Sequence, residues 1–207
     1  FWPIAVDHKI FNNINLDKIK KEYDIFFSGL IQNFNFNNKS LSLRTQIMKE
    51  LFFSIDRVKL FKKKKYSKTK IFWNSFTARR KYDIMLKCLG KYKFLNEEKY
   101  IQKLQSSRVS ISTLSPSDII GPRFFESMML GTVILCENDS KYDEVFDRKK
   151  HVVTFDKNLE NFHEKLNFSI SDSKEVEKIK LNAYNHTLKN HTYQKRIEDL
   201  LSWINII

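Results

Sequence analysis

Apolar residues along the chain form two patterns, short continuous runs and longer stretches with helical spacing. The continuous apolar run Asp24–Gly29 predicts a strand that is buried on both faces of a sheet, and the apolar runs Val109–Leu114 and Thr132–Cys136 predict two further strands. The stretch Tyr193–Ile204 predicts a helix, since apolar residues recur there at positions 193, 197, 200, 201 and 204. Strands that alternate with helices indicate a parallel α/β sheet flanked by helices, with a helical C-terminal end.

Further elements follow from the same patterns and from capping residues. Additional strands are predicted at Val58–Phe61, Lys70–Trp73 and His151–Phe155, and a loop at Ile31–Lys39. Helices are predicted from a cap at Ser40 or Ser42 to about Phe53, at Ala78–Leu89 before Gly90, from a cap at Asn96 to Leu104, at Leu159–Phe168 and at Glu175–Leu188, with a short helix or turn at Lys141–Phe146.

The segment between the predicted strands Val109–Leu114 and Thr132–Cys136 carries the most informative pattern. A polar loop leads into a helix whose first position is predicted at Pro122, where a missing N–H costs little. Gly131 is placed to end that helix. Strand, loop, helix and strand describe a βαβ unit, in which the loop and the helix start form a natural site for an anion.

The helix of this unit has two faces. The apolar face is predicted to pack on the sheet and comprises Phe124, Phe125, Met128 and Met129. Arg123, Glu126 and Ser127 are spaced to share the other face. A cation at a helix start opposes the helix dipole unless an anion is bound there, which favours a phosphate beside Arg123. Together with a ribose beside Glu126, such a phosphate would fit a nucleotide. An ordinary surface Arg–Glu pair is the alternative, and spacing alone leaves both open.

This segment resembles the donor-site signature of GT-B glycosyltransferases of the "glycosyl transferases group 1" type, in their C-terminal domain. There, an acidic residue and a loop precede Arg, an aromatic residue, Glu and then Gly. Many relatives carry two glutamates with seven residues between them; Glu126 matches the second, and Asp118 stands in the place of the first. Exostosin-type domains have a similar element and are the near neighbour.

The resemblance extends along most of the chain. It implies an interdomain linker at residues 1–15 and a Rossmann-like nucleotide-sugar-binding domain at residues 16–207. Tyr23–Gly29 resembles the first strand and glycine turn of such domains, and Arg44 stands on the next helix where relatives often have Arg. Tyr100–Arg108 resembles the helix before the signature strand, and His191–Arg196 the start of the closing helix.

The resemblance implies a glycosyltransferase that transfers a hexosyl or pentosyl group from a nucleotide-diphosphate-sugar to a glycan or other hydroxyl acceptor, in glycan biosynthesis. The implied donor site consists of Ser28, Gly29, Arg44, Ser115, Ser117, Asp118, Gly121, Pro122, Arg123 and Glu126. In it Glu126 holds the ribose, Asp118 lies near the sugar, and Arg123 is the main cation for the phosphates. The partners are donor, acceptor and an N-terminal GT-B domain of the same polypeptide, where a catalytic base normally lies.

The sequence predicts neither a metal ion nor a cofactor beyond the donor substrate. Metal-dependent glycosyltransferases of the other main fold usually carry Asp-x-Asp, which does not occur in this chain. The histidines and cysteines show no spacing typical of zinc ligands. His191, near a helix start, is expected to have a structural role.

The net charge of +13 leaves other functions open. The densest basic cluster, Lys62–Lys65, is read first as a solvated loop, with an anionic membrane surface, nucleic acid or a phosphorylated acceptor as alternative partners. No helix-turn-helix, zinc-finger or aromatic RNA-binding signature supports specific recognition of nucleic acid. The alternatives to an enzyme are therefore a non-catalytic donor-binding half-domain and a basic nucleic-acid or membrane-surface module.

The sequence also bears on compartment and chain extent. Cys88 and Cys136 stand in apolar surroundings and predict buried thiols in a reducing compartment. No apolar run approaches the roughly 20 residues of a membrane span, and no signal peptide is visible. A cytoplasmic location is therefore predicted. Because the chain begins at Phe1 without Met, we expect it to be a piece of a longer polypeptide.

Overall fold

The computed structural model describes residues 5–7, 19–31, 42–51, 70–77, 95–115 and 117–204. Within them, five parallel strands form one sheet in the order β2-β1-β3-β4-β5. The strands are β1 Tyr23–Ile31, β2 Ile71–Thr77, β3 Ser107–Ile111, β4 Val133–Glu137 and β5 Val153–Phe155. The predicted α/β class with a Rossmann-like parallel sheet is thus confirmed.

Helices lie between and after these strands. They are α1 at residues 43–51, α2 Glu97–Gln105, α3 Arg123–Met129, a 3₁₀ helix Ser140–Glu144, α4 Arg148–His151, α5 Phe162–Ile170, α6 Lys174–Asn190 and α7 Tyr193–Ile204. Two predicted caps are present: Ser42 Oγ accepts from the N–H of Thr45 at 3.3 Å, and Asn96 Oδ1 accepts from that of Lys99 at 3.1 Å. The strand predicted at 58–61, the helix predicted at 78–89, Cys88 and the Lys62–Lys65 cluster lie outside the described residues.

The sheet is buried on both faces, as its continuous apolar strands predict. On one face, side chains such as Ile25 and Phe27 pack with the apolar residues of α1 and α5. On the other face, Phe26 packs with Phe125 and Met129 of α3. Alternate residues of β1 therefore serve two separate cores, and α3 is fixed against the second of them.

Helix α3 begins and ends where the sequence predicts. Pro122 precedes the first helical residue and has helical dihedral angles, and its carbonyl accepts from the N–H of Glu126 at 3.0 Å. Gly131 has a φ of 61°. Its N–H donates to the carbonyl of Met128 at 3.2 Å, and the N–H of Thr132 donates to that of Ser127 at 2.9 Å. This Schellman pair turns the chain directly from α3 into β4.

The placement of Ser127 differs from the prediction. Ser127 was expected beside Arg123 and Glu126 on the outward face, but its side chain is fully buried. The reason is that α3 is covered on a second side by α6, where the Thr187 hydroxyl donates to Met128 Sδ at 3.1 Å. Only a narrow strip of α3 remains accessible.

Three other parts of the chain can be compared with their sequence-based predictions. The strand predicted at His151–Phe155 is shorter, since His151 ends α4. His191 is buried, its ring lies 4.6 Å from that of Phe125, and its Nδ1 lies 2.7 Å from Nη2 of Arg196, which supports the structural role. Val6, within the predicted linker, is buried and forms a parallel bridge with Thr192.

The surface adds two observations. Most apolar side chains of helix α7 are exposed to solvent. The exposed fraction is 55% for Tyr193, 57% for Ile197, 41% for Leu200, 52% for Leu201 and 56% for Ile204. In the part of the chain that the structure describes, no helix has the length and apolar character needed to cross a membrane.

Cys136 is a buried free thiol, as predicted, and burial raises its pKa.

Gly131→Ala tests the turn that connects α3 to β4. A residue with a Cβ is strained at a φ of 61°, so the free energy of unfolding should fall by about 1–2 kcal/mol. Urea denaturation measures it. Gly121→Ala is the control, since a Cβ at residue 121 has no atom within 4 Å and the stability should change little. Equal losses for the two variants would contradict this account.

Candidate functional site

A cleft of about 820 Å³ opens at the carboxyl ends of β1, β3 and β4. Its floor is formed by Gly29 near the end of β1, the segment Ser112–Ser115 after β3, and Glu137 at the end of β4. Helices α1, α2 and α3 supply its walls. Ligands of open α/β sheets bind at this edge, so the cleft is the candidate functional site.

Most of the residues predicted from the sequence line this cleft. Those that do are Gly29, Arg44, Ser115, Asp118, Gly121, Pro122, Arg123 and Glu126. Ser28 and Ser117 do not. Ser28 is buried beside Gly29 and its carbonyl accepts a hydrogen bond from Arg44, whereas Ser117 is exposed and its N–H donates to Ser115 Oγ at 3.3 Å. These two residues therefore support the cleft rather than face it.

Gly29 is the place where Arg123 meets the sheet. It lies within β1, paired with Ser75 of β2, and not in the turn that the sequence predicted, because pairing with β2 carries the strand on to Ile31. A Cβ on Gly29 would lie 3.0 Å from Nη2 and 3.1 Å from Nη1 of Arg123, and the φ of Gly29 is 112°. A residue with a side chain would be strained there and would push the guanidinium away. The absence of a side chain at Gly29 therefore lets the Arg123 guanidinium approach the backbone of β1.

Arg44 brings a second cation to the same part of β1. Its guanidinium lies 4.5 Å from the centroid of the Phe27 ring, and its Nη2 donates to the carbonyl of Ser28. Arg44 Nε is buried and has no hydrogen-bond partner among the described residues. Burial, reinforced by the nearby Arg123, lowers the pKa of Arg44 to about 9, so it remains charged at neutral pH.

Tyr100 connects the two charged residues of α3, Arg123 and Glu126. Its hydroxyl donates to Glu126 Oε2 at 2.7 Å and accepts from Arg123 Nε at 3.3 Å. Burial, with a contribution from the Glu126 carboxylate, raises the pKa of Tyr100, so the phenol keeps its proton. The sequence analysis placed Tyr100 on the right helix but missed this role, because nothing in the local sequence distinguishes it from the other tyrosines.

Asp118 lies at the rim of the cleft in a strained conformation. The preceding turn is closed by Ser115, whose Oγ accepts from the N–H of Ile119 at 3.0 Å. Asp118 has a φ of 60°, in the left-handed region that non-glycine residues adopt at a cost. Its carboxylate pairs with Nζ of Lys141 at 2.6 Å, which fixes it toward the 3₁₀ helix.

Glu137 is a second residue of the cleft that the sequence analysis missed. It is only 3% exposed, and its Oε1 accepts from the N–H of Leu114 at 2.9 Å. Burial raises the pKa of Glu137, and its charge partly offsets the mutual repulsion of the cleft's arginines, since it acts favourably on Arg44. It is the last residue of β4, one position beyond the predicted strand Thr132–Cys136, and its inward orientation depends on strand register.

The cleft is therefore suited to an anionic ligand that also carries hydroxyl groups. Two arginines line it, and the carboxylates of Glu126 and Asp118 offer hydrogen-bond acceptors beside them. In the described ranges, no group of three or more His, Cys, Asp or Glu side chains lies close enough together to bind a metal ion.

Comparison with known proteins identifies the family. The sequence model described as "Glycosyl transferase-like" matches residues 64–202, which include α3 and both missed residues, Tyr100 and Glu137. The chain belongs to the glycosyl transferase-like family. Gly29 and Arg44 lie before the matched region, so they join the cleft through the fold alone. No curated protein sequence matches the chain.

Solved structures of glycosyltransferases share its fold. A structure described as trehalose-6-phosphate from E. coli bound with UDP-2-fluoro glucose has a TM-score of 0.63 at 12% identity, over 100% of this chain and 51% of that one. The C-terminal domain of a glycosyl transferase group 1 family protein from Francisella tularensis has a TM-score of 0.52 at 16% identity, and the match covers 94% of this chain and 97% of that one. A glycosyltransferase from Rickettsia africae has a TM-score of 0.57 at 14% identity, and the match covers 96% of this chain and 54% of that one.

These matches show how the chain relates to a complete GT-B fold. It spans about half of the E. coli and Rickettsia chains and nearly all of the isolated Francisella C-terminal domain. The predicted resemblance to the C-terminal half of a group 1 glycosyltransferase is confirmed. The exostosin-type neighbour is not confirmed by these matches.

Gly29→Ala tests the close approach of the Arg123 guanidinium to Gly29 of β1. We expect a loss of about 1–3 kcal/mol in the free energy of unfolding, because the new Cβ is strained at this φ and crowds Arg123. Adding Arg123→Ala should relieve the crowding, so a double-mutant cycle in urea should give a coupling above about 0.5 kcal/mol.

The matched cycle for this prediction pairs Gly121→Ala with Arg123→Ala. A Cβ at residue 121 contacts nothing within 4 Å, so these two changes should be additive to about 0.5 kcal/mol. Additivity in the Gly29 cycle as well would mean that the close approach of Arg123 contributes nothing.

Proposed function

We propose that the chain is the donor-binding half of a glycosyltransferase and that its cleft binds the nucleoside diphosphate of a nucleotide-sugar. The observation that carries the proposal is the arrangement of Arg44, Arg123 and Glu126 in one cleft, at the carboxyl edge of the sheet of a glycosyl transferase-like domain. A diphosphate and a ribose have the charges and hydrogen-bonding groups that these side chains complement.

The arginines are proposed to bind the diphosphate. Two like charges in one partly buried site repel each other, and burial already lowers the pKa of Arg44. A diphosphate removes this penalty, and guanidinium groups bind phosphate oxygens through two parallel N–H donors. The buried Arg44 Nε, which has no partner among the described residues, supports a ligand that accepts hydrogen bonds at this point.

Glu126 is proposed to bind the ribose hydroxyls. An ionised carboxylate is an acceptor only and offers about four acceptor positions, so its bond to the Tyr100 hydroxyl leaves capacity for a ligand. Asp118, at the rim beside Lys141, is proposed to lie near the transferred sugar. The E. coli structure that shares the fold is described as bound with UDP-2-fluoro glucose, which supports a nucleotide-sugar as the ligand class.

The proposed reaction is transfer of the sugar to a hydroxyl of a glycan or other acceptor. The bond between the anomeric carbon and the diphosphate oxygen breaks, and negative charge develops on the leaving nucleoside diphosphate. Arg44 and Arg123 would stabilise that charge in the transition state. The acceptor and the catalytic base are proposed to come from an N-terminal GT-B domain, since the chain spans about half of its full-length structural relatives.

Titration calorimetry with the 207-residue chain tests this function. UDP and GDP are titrated against uridine and guanosine, and we expect saturable binding of at least one diphosphate. Arg123→Ala should weaken binding of that diphosphate by about 1.5–3 kcal/mol and hardly change binding of the nucleoside. Arg148→Ala is the control, because Arg148 pairs with Asp143 and does not line the cleft.

Two results would contradict the proposal. Failure of the parent chain to bind any nucleoside diphosphate would remove the donor-binding function. An equal loss for diphosphate and nucleoside in Arg123→Ala would show that the mutation disturbs α3 rather than a phosphate contact.

Chelation tests the proposed metal independence of binding. If the arginines neutralise the diphosphate, EDTA should change the Kd of the preferred diphosphate less than twofold, because no bridging cation is required. The measurement is the same titration in EDTA and in Mg²⁺ or Mn²⁺. Binding that is lost on chelation and restored by a divalent cation would show that a metal ion bridges the phosphates.

A further inference from the structure

Arg123 and Glu126 do not pair with each other although they are three residues apart on α3. Oppositely charged side chains with this spacing usually attract one another along a helix. In the structure no ion pair joins these two residues, and both instead contact the hydroxyl of Tyr100, at 3.3 Å from Arg123 Nε and 2.7 Å from Glu126 Oε2. The phenol thus stands between a cation and an anion that would otherwise meet.

The position of this hydroxyl is fixed by the core rather than by the cleft. The Tyr100 ring packs edge-on against the ring of Phe26 in β1, with centroids 5.6 Å apart. Tyr100 lies in the first half of α2, whose start is fixed by the Asn96 cap. A rigid ring on a capped helix therefore presents its hydroxyl to two flexible charged side chains.

We infer that Tyr100 is a positioning residue that keeps Arg123 and Glu126 apart and couples the diphosphate and ribose contacts of the donor. The inference rests on the proposed function. One phenol hydroxyl donates to Glu126 and accepts from Arg123, so the three groups form a directional chain in which each bond polarises the next. Arg123 is thereby directed to Gly29 of β1, and Glu126 keeps acceptor capacity for the ligand.

Loss of the hydroxyl has a specific structural consequence. Without it, Arg123 Nε loses its acceptor and Glu126 loses its donor, and both are free to form the direct pair along α3. That pair would draw the cation from the phosphate position and the carboxylate from the ribose position at once. A single oxygen atom would then affect both halves of the nucleotide.

Tyr100→Phe is the matched variant because it removes only the hydroxyl and keeps the ring on Phe26. The preferred nucleoside diphosphate should bind about tenfold more weakly, as expected for the loss of hydrogen bonds to charged groups. Tyr23→Phe is the control: its hydroxyl accepts from Lys103 at 3.2 Å outside the cleft, and its removal should leave binding unchanged. Thermal unfolding of both variants checks that the fold is retained.

Two further comparisons separate positioning from a general structural effect. The first uses the 2′,3′-dideoxy analogue of the same diphosphate, which keeps the Arg123 contact but cannot use Glu126. Tyr100→Phe should weaken its binding only about threefold, because the phosphate contact alone is then displaced. The second introduces Tyr100→Phe into Glu126→Gln, where the charge to be positioned is gone and the loss should likewise be only about threefold.

The outcomes are distinct. If the parent binds the diphosphate and Tyr100→Phe binds it equally well, the inference is wrong while the proposed function stands. Equal losses for the diphosphate and its dideoxy analogue, or a tenfold loss that persists in Glu126→Gln, would also overturn it. If the parent binds no nucleoside diphosphate, the proposed function fails and the inference fails with it.

Discussion

The close approach of the Arg123 guanidinium to Gly29 is the constraint on which the cleft depends. It requires a glycine with a φ of 112° near the end of β1 and a helix whose outward strip faces that glycine. Helix α3 meets this requirement because its aromatic residues are buried against the sheet and Gly131 returns the chain at once to β4. The same packing that stabilises the second core therefore determines where the cation lies.

The positive charges of the cleft are only partly compensated by the groups around them. Arg44 and Arg123 oppose each other, and Glu126, Glu137 and the Tyr100 hydroxyl compensate only in part. Such an arrangement costs folding free energy, because like charges in a partly buried site are less well screened than on the surface. A site of this kind is most stable with an anion bound, which agrees with the proposed nucleoside diphosphate ligand.

The sequence predicted the elements of the site better than its internal contacts. The strand, loop, helix and glycine stop around α3 follow from local patterns, and so do the caps at Ser42 and Asn96. The burial of Ser127 depends on α6, which lies some 50–60 residues later in the chain, and local spacing cannot reveal that second cover. Tyr100 and Glu137 escaped notice for the same reason, since their partners come from other elements.

The interior position of β1, between β2 and β3, has a consequence for folding. The partners of β1 arrive late, since β2 begins at Ile71 and β3 at Ser107, and the guanidinium that approaches Gly29 is at residue 123. Long loops must close before these parallel pairings form, which makes such sheets slow to assemble. The cleft is thus a late product of folding, complete only after more than half of the chain has been synthesised and paired. A ligand that binds it selects the finished domain from all partly folded forms and stabilises that state by mass action.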